Sequence, residues 1–105
     1  MYNEINTLDN LPLSLKDLNC GGNKITCLDN LPTTTLQILL CYDNPIIMLD
    51  NLPPRLVDLN IENTKIKSLS NLPITLETLR LSRTNSIYTE EFITSLPKTV
   101  KLIAK

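Results

Sequence analysis

Laid on itself, the chain returns its apolar residues in columns separated by 20 or 21 positions. A Leu-x-Asn-Leu-Pro string occupies residues 8–12, 28–32, 49–53 and 69–73, and a further Leu96-Pro97 follows after a longer interval of 24. The recurring unit reads LPxxLxxLxΦxxNxIxxLxN, where Φ is Cys, Ile or Leu. Apolar, proline and asparagine columns all keep register, which is the signature of a repeat array rather than of chance similarity. The coils are residues 11–30, 31–51, 52–71 and 72–95 of a single domain spanning 1–105. A partial coil, 1–10, precedes them, its Asn3, Ile5 and Leu8 matching the later half of a coil, and residues 96–105 supply a terminal strand. The second coil gains its extra residue in the Thr33-Thr34-Thr35 run.

Within each coil, segments such as Leu18-Asn19-Cys20 and Leu59-Asn60-Ile61 alternate inward and outward residues, the period of a short half-buried strand. The other half is too short for a full helix and carries a proline, which disfavours a helix interior or central strand. It reads as an extended, polyproline-like return with occasional tight turns. Strands separated by returns of constant length run parallel and stack, each coil completing its neighbour's core. The predicted fold is therefore an α/β-class repeat solenoid, mostly β, with one parallel sheet. Its inner columns are Leu15/Leu36/Leu56/Leu76, Leu18/Leu39/Leu59/Leu79, Cys20/Cys41/Ile61/Leu81 and Ile25/Ile46/Ile66; Leu28/Leu49/Leu69 and Leu11/Leu31/Leu52/Leu72 line the return. The fourth coil is irregular: Asn85-Ser86-Ile87 shifts its isoleucine, and Thr89-Glu90-Glu91-Phe92 predicts one helical turn with Thr89 as N-cap and acids in the first turn.

Composition narrows the function. About one residue in five is leucine and about one in nine asparagine, histidine and tryptophan are absent, and the net charge is -1. Without clustered Lys and Arg on a basic domain, nucleic-acid binding is not expected. No basic segment leads into an apolar run at the N-terminus, and no apolar stretch approaches the length of a membrane span. Three cysteines without a secretory signal fit a reducing, intracellular compartment.

The LxxLxLxxNxI unit resembles the leucine-rich-repeat family, and its 20-residue, LP-containing form looks like the short bacterial subclass found in secreted effectors. The abundant Cys, Asn and Ile are similar to leucine-rich-repeat proteins of giant DNA viruses such as mimivirus. The resemblance covers nearly the whole chain, and implies a curved solenoid with its sheet on the concave, partner-binding side, in the cytoplasm, including that of an infected host cell. It departs from the family where the asparagine after the strand, kept at Asn23 and Asn44, becomes Thr64 and Thr84.

Residues with chemical potential mostly read as scaffold. Cys20 and Cys41 share an inward column on adjacent strands, where a disulfide is conceivable and two buried thiols are the simpler reading. Cys27 has no histidine to act as its base, and three cysteines without Cys-x-x-Cys spacing make a poor zinc site. The column Asn10/Asn30/Asn51/Asn71 suits backbone hydrogen bonding, the acids Asp9, Asp29 and Asp50 a solvated row, and Gly21-Gly22 a tight turn. No cofactor, metal or catalytic constellation is expected, so the chain is not predicted to be an enzyme.

The outward strand positions carry the functional expectation. Asp17, Asn19 and Gly21 face out from the first strand and Ile38, Leu40 and Tyr42 from the second. Asp58, Asn60 and Glu62 follow from the third, and Thr78, Arg80 and Ser82 from the fourth, with Arg83 alongside. The repeat does not require apolar residues at 38, 40 and 42, so these, with Asp58, Asn60, Glu62, Arg80 and Arg83, form the candidate surface for a protein or peptide partner. The competing reading is that these side chains merely cover one another. Two other functions stay open: the substrate-recognition part of a larger effector-like ubiquitin ligase, implied by the bacterial relatives, and a structural repeat that self-associates. The expected state is a monomer or a weak homodimer through the open edge of the last strand.

Overall fold

A computed structural model describes residues 11, 14–26, 28, 31, 34–49, 52–67 and 72–105. Five short strands, β1 (Asp17–Asn19), β2 (Ile38–Leu40), β3 (Asp58–Asn60), β4 (Thr78–Leu81) and β5 (Lys101–Ala104), form one parallel sheet in chain order. One strand per turn and little helix make the chain a mostly β solenoid of about four turns. The ladder pairs Leu18 with Leu39, Leu39 with Leu59, Leu59 with Leu79 and Leu79 with Leu102. The extra residue of the second coil lies ahead of β2, so the β2–β3 and β3–β4 registers step by the same interval.

The third and fourth coils turn tightly just after their Leu-Pro. The N–H groups of Leu56 and Leu76 donate to the carbonyls of Pro53 and Pro73, at 3.3 and 3.1 Å. Thr75 Oγ1 then donates to Leu56 O at 2.8 Å, and Thr35 Oγ1 to Leu15 O at 2.7 Å, tying each coil to the one before. The leucine columns 36/56/76 and 39/59/79 and the Ile25/Ile46/Ile66 column are buried, as are Cys20, Cys41, Ile61 and Leu81. Leu15 and Leu18, in the first described coil, are only half-buried. Leu69 and the columns of Asp9/Asp29/Asp50 and Asn10/Asn30/Asn51/Asn71 lie outside the described residues, as does Cys27.

The asparagines after β1 and β2 hold the strand ends. Asn44, almost wholly buried, donates from Nδ2 to the carbonyls of Cys20, Cys41 and Tyr42 at 3.0, 3.1 and 3.0 Å, while its Oδ1 accepts from Ile25 N at 3.1 Å. Asn23 Nδ2 donates to Cys20 O at 2.7 Å. Thr64 retains one such bond, from Oγ1 to Ile61 O within its own coil. The preceding residue of each turn, Gly22, Asp43 and Asn63, has a positive φ of 74°, 54° and 52°. Gly, Asp and Asn are the residue types that tolerate this left-handed conformation.

In the fourth coil the displaced isoleucine, Ile87, is buried one position later. The added residues form α1 (Glu90–Ser95), capped by Thr89, whose Oγ1 accepts from Phe92 N at 3.1 Å, with Glu90 and Glu91 in the first turn. Among the described residues no helix is long and apolar enough to cross a membrane.

Candidate functional site

Because side chains alternate along each strand, the sheet presents three outward rows. The ladder aligns Asp17, Ile38, Asp58, Thr78 and Lys101 in the first row and Asn19, Leu40, Asn60, Arg80 and Ile103 in the second. Backbone bonds from Gly22 N to Tyr42 O, Asp43 N to Glu62 O and Arg83 N to Lys105 O continue the register to a third row, Gly21, Tyr42, Glu62, Ser82 and Lys105. Ile38, Leu40 and Tyr42 are each half-buried on this face.

The rows differ in how far their side chains are free. Asn60 is buried, and its Oδ1 accepts from Glu62 N at 2.9 Å; Asn19 repeats the contact with Gly21 N at 3.1 Å. Both asparagines fold back on their own strand end. Arg80 Nη2 lies 3.8 Å from Asp58 Oδ2, with the two side chains 39% and 24% exposed. Such a partly solvated pair adds at most about 1 kcal/mol. Asp58 Oδ1 and Arg80 Nε have no hydrogen-bond partner. Glu62 is half-buried, and Arg83 is exposed beyond β4.

Tyr42 does not stand straight out from the sheet. Its ring lies over Gly21, where an added Cβ would collide with Cζ, Cε1 and Cε2 of the ring. The two glycines thus do different work: Gly22 supplies the positive φ, and Gly21 supplies room for the ring. Gly21→Ala is expected to push the ring aside, at a cost of about 1 kcal/mol. Urea unfolding of Gly21→Ala, Tyr42→Ala and the double variant checks this; strictly additive costs would show that ring and glycine do not interact.

Sequence reasoning placed the face but missed its last column, Lys101, Ile103 and Lys105. The signal was the alternation of the terminal strand, which puts these three on the side opposite Leu102 and Ala104.

Cys20 and Cys41 are buried neighbours on the inner side with free thiols. Burial pushes the Cys20 thiol up to about 11. Cys41, which donates from Sγ to Asn60 O at 3.3 Å, is raised well above the ordinary thiol range, first by burial and then by Cys20 beside it. Both stay protonated at neutral pH, so neither is a nucleophile there. Among the described residues no three His, Cys, Asp or Glu side chains come together as a metal site. An open groove of about 550 Å³ at the other end of the strands is lined by Gln37, Arg55, Val57, Thr75, Glu77 and an Ile74 that is 98% exposed.

No protein-family model, curated protein or solved structure matches this chain.

Proposed function

We propose that the chain is a non-catalytic interaction module of the leucine-rich-repeat type that holds a protein or peptide partner on the outward face of its sheet. The observation that carries this is Ile38, Leu40 and Tyr42, half-exposed on one strand at positions filled elsewhere mainly by polar and charged residues. The outward apolar strand interrupts the polar pattern of its rows, and Tyr42 also covers Gly21. The solenoid of one strand per short coil supports the repeat-family reading. The cytoplasmic setting belongs to the same proposal and rests on the cysteine usage.

A partner held on this face should lose about thirtyfold or more in affinity to Leu40→Asp with Tyr42→Asp, the loss expected of hot-spot residues worth ~2 kcal/mol. Titration calorimetry against a captured partner measures it. Unchanged affinity, with the variant's circular dichroism intact, sinks the assignment of the sheet face.

A further inference from the structure

The outward face is divided by charge along the stack. Its acids, Asp17, Asp58 and Glu62, lie on or next to β1 and β3, and its bases, Arg80, Lys101 and Lys105, on or next to β4 and β5. The apolar strand β2 lies within the acidic part, and Ile103 on β5 gives the basic part a smaller apolar contact. Asp17, Lys101 and Lys105 are exposed, and Asp58 and Arg80 meet at the boundary, 3.8 Å apart, each with an orphaned polar atom.

Size limits the occupant. The five described strands at ~4.8 Å spacing span ~19 Å, and three- or four-residue strands rise ~10–13 Å. That footprint of ~250 Å² is well below the ~800 Å² per partner of a standard protein interface. It matches one segment laid across the strands, about six residues if extended or about thirteen if helical. A folded partner or a second copy of the chain would rest mostly outside this described face.

We infer that this face takes a single peptide segment with an apolar centre, its basic end over β1–β3 and its acidic end over β4 and β5. This rests on the proposed function and adds the chemistry of the partner. The charges fix the placement of the segment along the stack, and Leu40 with Tyr42 receives its apolar residues. A polyanion such as a nucleic acid is repelled by the acidic half, and a wholly basic peptide by the basic half.

The test pans a displayed library of random peptides of about twelve residues against the full chain, then measures the enriched peptides by fluorescence anisotropy. Enriched sequences should carry Lys or Arg in one half, Asp or Glu in the other and an apolar centre. Their affinity should fall about tenfold on Asp17→Lys with Glu62→Lys, and similarly on Lys101→Glu with Lys105→Glu, with weakening in high salt as exposed charges are screened. Each charge variant should select peptides that have lost the partition. Peptides that lack charge partition, or that keep their affinity for both variants, overturn the inference. If those same peptides still fail on Leu40→Asp, the sheet-face function stands and only the charge reading falls. If they bind Leu40→Asp unchanged, the sheet-face function falls as well. A library that yields no binder, or a salt-sensitive dimer of the chain alone that both charge variants abolish, also overturns the peptide occupant.

Discussion

Leu59→Ala is expected to remove about 3–5 kcal/mol of stability, a large share of the total that a chain of this length commands. Leu59 is fully buried at the centre of the middle strand, with Leu39 and Leu79 beside it in the ladder. Deleting its side chain loses the transfer energy and leaves a hole that neighbours pinned in register cannot refill. Each strand packs against its sequence neighbours, β1 on β2 through to β4 on β5. A repeat array of this kind is stabilised coil by coil and across nearest-neighbour interfaces. A hole in the third coil weakens both of its interfaces at once and separates the first two coils from the fourth. Urea unfolding followed by circular dichroism should therefore show a lower midpoint and a shallower slope, because the halves no longer melt together. Leu18→Ala, at the half-buried end of the same column, should cost about 1 kcal/mol. Equal effects at the two positions would refute the coil-by-coil account.

Asn44→Ala is the second large effect, about 3 kcal/mol. One side chain shares its two N–H donors among three carbonyls and supplies an acceptor for the amide of Ile25, and it bridges two coils. Alanine leaves buried groups unpaired, each at roughly 1–3 kcal/mol less whatever relaxation recovers. Thr64→Ala, which loses a single bond within its own coil, should cost only about 1 kcal/mol. Hydrogen exchange gives the sharper readout: the Ile25 amide should lose protection in Asn44→Ala beyond what the global loss explains. Retained protection there would show that Asn44 does not hold the turn of the preceding coil.

The inner columns were legible because burial in the middle of a solenoid follows repeat position and alternation, whereas Leu15 and Leu18, at the same positions in the first described coil, are only half-buried. Leu36, Leu56 and Leu76 occupy equivalent positions in their coils, and all are buried. The capping of the inserted helix was legible for a similar reason, since Thr89 and the two acids act locally. The outer face was legible only as to its side. That Tyr42 leans across to Gly21, and that Asn60 turns back on its own strand, depends on rotamers and lateral neighbours that alternation does not encode. The last strand shows the limit of counting. Leu52 and Leu72 precede Leu59 and Leu79 by seven positions, yet Leu96 precedes Leu102, the residue aligned with Leu79, by six. The turn into β5 is shorter by one residue, and the ladder with β4 sets its register where the repeat length does not.

The nearest-neighbour ladder also governs how the molecule responds to force. Among the described strands β1 and β5 each pair with one neighbour, so tension across the sheet is expected to act on their coils first. Releasing a coil of 20 residues frees up to ~70 Å of extended chain, whereas that coil adds only ~4.8 Å to the stack. Extension is therefore expected to proceed in long, discrete steps. The opposed charges on the sheet remain in register until the coil that bears them is peeled away.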